Sequence, residues 1–320
     1  MYKLKKWVDI KNIDWRILSQ NPNAIDLLEQ NPDNIDWKML STNPNAISLL
    51  EKNPDKIDWF WLSENPNAIH LLEKNLDKID DVAWWYLSEN PNAIPIIEKN
   101  INKIWWNNLS LNKNPKAIPL LEQNSDKIDW ENLSSNPNAI SLLEKNPDNI
   151  DWLWLSENPN AIHLLEQNQD KIDWWRLSEN PNAIHLLEKN PDKIDWFWLS
   201  ENPNAIHLLE KNTDKIDWWR LSKNPNAIPL LEKNVDKLNR DCWYNLTLNP
   251  NAIHLLEKNQ HKILWSWLSS NPSIFELDYQ ALKKRCAIYK EELIQKVFHP
   301  SRIQKLLDMG ISIDELDNYI

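Results

Sequence analysis

Five histidines, His70, His163, His185, His207 and His254, occupy one recurring position in the chain, and three of them follow one another at intervals of 22 residues. Neutral imidazoles stacked at a fixed interval could ligate a metal ion. The same position also holds Asp26, Ser48, Pro95, Pro119 and Ser141, and helical geometry turns it about 180° away from the apolar centre of its helix. An exposed position that tolerates many side chains explains the row better, so no metal site is expected.

Carboxylates recur in the same way. Glu73, Glu166, Glu188 and Glu210, with Asp80, Asp173 and Asp195, could be paired for general acid and base work. An active site, however, needs one place that differs from the rest, and these groups return in repeat after repeat. Solvated helix faces and helix N-caps account for them. Cys242 and Cys286 are the only cysteines and have no CxxC spacing. With no glycine-rich phosphate loop or nucleophile elbow, catalytic residues and cofactors are expected to be absent.

The aromatic residues carry more information. Twelve tryptophans share one phase, including Trp59, Trp152, Trp174, Trp196 and Trp218, and their regularity suits a structural core. The two positions after each of them vary: Phe60 and Trp61, Trp85 and Tyr86, Leu153 and Trp154, Trp175 and Arg176, Phe197 and Trp198, Trp219 and Arg220, but Lys38 and Met39, or Glu131 and Asn132. At 100° per residue each varying position lies about 130° from the buried centre of its helix. Trp61, Trp85, Trp154, Trp175, Arg176, Trp198, Trp219 and Arg220 are therefore the candidates for binding a partner, since Trp and Arg dominate interface hot spots. Sideways packing against the neighbouring repeat is the competing reading.

These residues need elements to hold them. An Asn-Pro pair opens each unit at Asn21, Asn43, Asn65, Asn90, Asn114, Asn136, Asn158, Asn180, Asn202, Asn224, Asn249 and Asn271, at a spacing of 22 residues with two intervals of 25 and one of 24. In "NPNAIHLLEKN", Asn180 suits an N-cap and Pro181 the first helical position. Ala183, Ile184, Leu186 and Leu187 then share one face. In "KIDWFWLSEN", Asp195 suits another N-cap, Ile194 and Leu199 form a hydrophobic staple, and a first helix of about seven residues follows. Asp81, Val82 and Ala83 are extra before Trp84, which marks a real break there. Pro95, Pro119 and Pro229 fall where a regular helix needs an N–H, so either the first turn is distorted, the reading preferred here, or "NPNAI" is a turn. Asn190 and Asn212 are expected to close the second helices in left-handed geometry, in place of glycine.

Helices this short need stacked neighbours. The expected fold is all-α: an α-solenoid of about eleven to twelve 22-residue two-helix repeats with a C-terminal helical cap, forming a curved rod on the order of 100 Å long at 8–10 Å per layer. Residues 1–12 are read as an N-terminal cap, 13–272 as tandem repeats and 273–320 as a C-terminal cap of two or three helices. There "HPSRIQKLLDMG", His299 to Gly310, is read as a helix that starts after Pro300 and ends at Gly310.

The repeat "NPNAIxLLEKNPDKIDWxxLS" over residues 13–272, together with the tail "LDYQALKKRCAIYKEELIQKVF", resembles uncharacterised short-repeat proteins of giant DNA viruses of protists, such as the mimivirus group. The resemblance implies a viral origin and action in the cytoplasm of an infected host cell or in the virion, and it supplies no catalytic residues. With 36 basic and 47 acidic residues, a net charge of −11 and no basic stripe, nucleic acid is not an expected partner. No apolar run reaches membrane-span length, so no membrane is expected and the reading is intracellular. A non-enzymatic protein-binding scaffold is the functional expectation, with a structural or self-associating assembly component as the alternative.

Overall fold

The computed structural model describes residues 1–312, apart from the side chains of 288 and 291. The eighth repeat shows why the unit folds as it does. Asp173 is extended, and its carboxylate accepts from the Arg176 N–H at 2.9 Å, which starts the first helix, Trp174–Glu179. Asn180-Pro181-Asn182-Ala183 then forms a turn in which the Asn180 side chain accepts from the Asn182 N–H at 3.0 Å. The second helix is Ile184–Lys189. Beyond it the Asn190 amide donates to the Leu186 carbonyl at 2.9 Å, and a short 3-10 turn, Pro191–Lys193, leads to the next capping residue, Asp195.

Three local expectations are corrected. "NPNAI" holds a turn, not a distorted first helical turn, and the second helix begins about three residues later than Pro181. Pro95 and Pro229 therefore sit at the second residue of Ile94–Lys99 and Ile228–Lys233, where an N–H has no helical acceptor, and Pro119 sits one residue further into Ala117–Gln123. The closing asparagines are not left-handed: Asn190 has φ −129° and ψ 60°, and among the described residues only Gly310 has positive φ. Its amide caps the last carbonyls without that geometry. First helices span four to nine residues rather than a uniform seven.

Twelve first helices, from Trp15–Leu18 to Trp265–Leu268, and eleven second helices, from Ile25–Glu29 to Ile253–Lys258, make an all-α repeat solenoid within residues 4–275. Leu199, Ala205 and Leu209 are fully buried in one repeat, and their equivalents continue a single core through the others. Extra residues in the fourth and eleventh repeats lengthen the first helix at its start, giving Ala83–Glu89 and Arg240–Leu248. They also cover the core tryptophan, so Trp84 and Trp243 are buried where the other ten are half-buried.

Neighbouring repeats are joined by side-chain amides. Asn202 donates to the Ser178 and Asn180 carbonyls of the preceding repeat at 3.0 and 2.9 Å, and Asn204 to the Pro181 carbonyl at 2.8 Å. The Ser178 hydroxyl donates to the Trp174 carbonyl at 2.8 Å and accepts from the Asp195 N–H at 3.0 Å. These bonds satisfy buried backbone groups that the short helices leave open. In the fifth repeat the bridging residue is Asn112, not Asn114. Asn112 reaches the Ser88 and Asn90 carbonyls at 2.9 and 3.1 Å, and Asn114 takes the place of Asn23 in the first repeat.

The ladder has no free end, which overturns the rod. Asn21 of the first repeat donates to the Ser269 and Asn271 carbonyls of the twelfth at 2.9 and 3.1 Å. Asn23 reaches the Pro272 carbonyl at 3.0 Å, and the Asp14 N–H reaches the Ser269 hydroxyl at 2.9 Å. Residues 4–275 thus close into a ring of twelve repeats. A constant bend at each of twelve junctions returns the chain to its start, and the layer count alone could not show that.

Most successive first helices, such as Ala83–Glu89 on Trp106–Leu111, pack on one another more closely than successive second helices do. In a ring the more closely spaced layer lies at the smaller radius, so the first helices form the inner wall. Twelve helices 8–10 Å apart leave an opening on the order of 20 Å wide once their side chains are allowed for.

A second body comprises residues 1–3 with 276–320. Its Lys3 and Glu276, 3.6 Å apart, belong to the strands Tyr2–Leu4 and Phe275–Leu277 of a two-stranded sheet. Two helices follow, Tyr279–Val297 and Pro300–Asp308. The second ends in a Schellman arrangement, in which the Gly310 N–H donates to the Leu307 carbonyl and the Ile311 N–H to the Leu306 carbonyl, at 2.9 and 3.2 Å. A third helix in the expected cap would lie outside the described residues.

Candidate functional site: the inner wall of the ring

Two buried positions in each first helix, the leucine and the serine or threonine after it, tie the repeat to the core and the ladder. The pair of positions after the core tryptophan and the one after the serine lie off that side; Asn108, Arg220 and Asn245 among them are buried, and the rest are partly or fully exposed and, with the first helices on the inner wall, face the opening.

Trp59, Trp152, Trp174, Trp196 and Trp218 are half-buried and pack against the core. The sequence reading missed their covering. Lys78, Lys171, Lys193 and Lys215, each from the 3-10 turn that closes the same repeat, place their ammonium groups 4.7, 4.6, 4.7 and 4.5 Å from the ring centroids of Trp59, Trp152, Trp174 and Trp196. The 19-residue separation of Trp and Lys in "DKID" repeats was the available signal.

The partner-binding candidates fall in two arcs. In repeats three and four, Phe60 meets Trp61 and Tyr86 at centroid distances of 5.2 and 5.1 Å, Trp85 meets Tyr86 at 4.6 Å, and all three contacts are edge-on. In repeats seven to ten, Trp154, Arg176, Trp198 and Arg220 alternate at one position. The Arg176 guanidinium lies 3.7 Å from the Trp154 centroid and that of Arg220 3.3 Å from the Trp198 centroid. Trp175 and Trp198 are 5.0 Å apart. Sideways packing between repeats is thus real for Trp61, Trp154, Arg176, Trp198 and Arg220. Trp175, Phe197 and Trp219 still leave 42%, 42% and 37% of their surface open, so the row also offers aromatic surface to the opening.

A row of carboxylates that the sequence reading passed over follows the serines. Glu157 is paired with Arg176, and Glu201 accepts from Arg220 at 2.8 Å and lies 3.4 Å from Lys223. Glu179 has no such ion pair. Burial, reinforced by Glu201, holds its carboxyl above the ordinary carboxylate value, against the pull of Arg220. Glu64 is raised in the same way, by burial and then by Glu89. Glu157 and Glu179, with Lys113, Ser135 and Pro181, line a concave depression of ≈ 410 Å³ running over four successive repeats. The recurring "LSE" tripeptide was the signal for this row.

The histidines lie elsewhere, on the second helices. His70, His163, His185 and His207 contact Glu51, Glu144, Glu166 and Glu188 of the preceding repeat at 2.8, 2.9, 2.8 and 3.0 Å. Long side chains bridge the wider gaps of the outer layer. Among the described residues no three His, Cys, Asp or Glu side chains converge on one point. Cys242 is buried, which pushes its thiol up, and Cys286 lies in the other body. Among the described residues no helix is long and apolar enough to cross a membrane.

Comparison of the chain with protein-family models, with curated proteins and with solved structures finds no match in any of the three.

Proposed function

We propose that this protein is a non-enzymatic binding scaffold whose ring takes a protein partner on its inner wall. The observation that carries this reading is the arc of repeats seven to ten, where half-open Trp175, Phe197 and Trp219 stand beside Arg176, Arg220 and the Glu157–Glu201 carboxylate row. A wall of aromatic and charged groups held by stacked repeats is pre-organised, so a partner would meet little ordering cost there. A viral origin, with action in an infected cell or the virion, belongs to the same proposal and rests on the sequence resemblance alone.

The test is co-purification from source cells, comparing the wild type with a Trp175→Ser, Trp198→Ser, Trp219→Ser variant checked for folding by circular dichroism. A partner lost from the folded variant supports the reading. A partner retained by it sinks the reading for repeats seven to ten. Self-association is a second proposal, favoured by the helix Tyr279–Val297, on which Tyr289 and Leu293 are 57% and 63% exposed. A sedimentation coefficient independent of concentration would remove it.

A further inference from the structure

The ring contains its own template for holding a cation. Trp154 and Glu157 lie three residues apart in repeat seven, and Arg176 of the next repeat stacks on the one and pairs with the other. Trp198 and Glu201 repeat the arrangement with Arg220. A guanidinium suits this pair because its planar face covers the indole while its fork reaches the carboxylate. Trp61 and Glu64 have the same spacing in repeat three, but the next repeat supplies Tyr86 where the other two supply arginine. Tyr86 leans on Trp61 at 5.9 Å, with its ring tilted 40°, and brings no charge. Glu64 is left without an ion pair, and neighbouring Glu89 raises its carboxyl further after burial has done so. Lys38 of repeat two lies 5.2 Å from the Trp61 ring, so that indole carries a cation of the chain's own, which an entering arginine would displace.

We infer that the Trp61–Glu64 pair is a receptor for an arginine side chain of a cationic polypeptide that enters the ring. The inference rests on the inner wall being the partner face and names the chemistry of the partner. The surroundings favour such an occupant, since the chain carries a net charge of −11 and Glu64, Glu89 and Glu179 on the first-helix side stand without an ion pair among the described residues, unlike Glu157 and Glu201. An α-helical segment about 10–12 Å across fits an opening on the order of 20 Å.

The probe is a fluorescein-labelled peptide of four Gly-Arg-Ser units, with a citrulline-for-arginine peptide as the neutral counterpart, both followed by anisotropy. Wild type should bind the arginine peptide and not the citrulline one. Two variants should weaken binding about tenfold or more, the scale of a lost charge-assisted, stacked contact. Glu64→Gln removes the acceptor, and Tyr86→Arg fills the place from within. Glu210→Gln, the same charge change on an outer helix, should leave affinity unchanged. Equal weakening by Glu64→Gln and Glu210→Gln would reduce the effect to bulk charge and overturn the inference, as would unchanged binding in Glu64→Gln. If Tyr86→Arg does not fold, Glu64→Gln against Glu210→Gln decides alone. Loss of the cellular partner on substituting Trp175, Trp198 and Trp219, with peptide binding indifferent to Glu64, would overturn this inference and leave the inner-wall reading standing. A retained cellular partner with peptide binding lost in Glu64→Gln would support the site and move the binding face to repeats three and four.

Discussion

The junction between repeats eight and nine and the seam between repeats twelve and one use the same bonds. At the first, Asn202 reaches two carbonyls at 3.0 and 2.9 Å and the Asp195 N–H reaches Ser178 at 3.0 Å. At the seam the equivalent distances are 2.9, 3.1 and 2.9 Å. What differs is the covalent link. Repeats eight and nine are joined through a second helix and a 3-10 turn, whereas the twelfth repeat has no second helix. In its place the Lys5 N–H donates to the Ile274 carbonyl at 2.9 Å, and Trp7 packs edge-on against Trp265 at 6.2 Å. The bond geometry of a junction is therefore set by the side-chain ladder, while continuity of the chain decides only what happens when the ladder fails.

Substituting the bridging asparagine should separate the two most. Asn21→Leu and Asn202→Leu each leave one buried carbonyl, that of Ser269 or Ser178, without a donor, at about 1–3 kcal/mol, and strip the second donor from the Asn271 or Asn180 carbonyl, which keeps a backbone N–H. Only Asn21→Leu should open the ring, seen as an earlier elution in size-exclusion chromatography with unchanged helical content. A compact Asn21→Leu protein would mean that the terminal contacts close the seam without the ladder. A smaller effect, about 1 kcal/mol, is expected from Asp195→Ala, which removes an N-cap to the Trp198 N–H at 3.2 Å. Asp14→Ala at the seam should cost the same in a thermal melt, because its backbone bond to Ser269 survives. A clearly greater loss would show the seam to be the weaker interface. Lys215→Met removes the ammonium over Trp196 and should cost about 0.5–1 kcal/mol, a loss that persists in salt better than that of a surface ion pair.

The smallest effect is electrostatic. The Glu179 carboxyl is raised in the fold above its ordinary value of 4.5, so the folded state favours its protonated form. Stability from this group is present below that value and is lost as the pH rises through the raised one. Glu179→Gln should flatten the decline of Tm over that window by about a degree. An unchanged pH profile would contradict the burial assigned to Glu179.

Much of this was legible in the sequence. The Asp195 cap, the Leu199 core and the break before Trp84 follow from local chemistry that a 22-residue window contains. The candidate aromatics were found by angle alone, but their distribution between packing and exposure depends on which neighbour each one meets. Trp198 is covered by Arg220, whereas Trp219 is not covered in the same way. The bridging asparagines escaped notice because their acceptors lie 22 to 27 residues back along the chain, and "NP" reads locally as a helix start. In the fifth repeat "LSLNKNP" offers two candidates, and only the distance from the preceding Leu-Ser selects Asn112 over Asn114. Ring closure was not legible at all. It depends on a small bend at every junction, which no single repeat encodes in a readable form.

Spin labels on Gln20→Cys and Ser270→Cys, in a Cys242→Ala, Cys286→Ser background, test closure most directly. The same labels on Glu179→Cys and Glu201→Cys mark equivalent positions across a covalent junction. Double electron–electron resonance should give the two pairs the same short distance. A Gln20–Ser270 separation approaching the length of an open stack, on the order of 100 Å at 8–10 Å per layer, would leave the Glu179–Glu201 pair unaffected and contradict the ring.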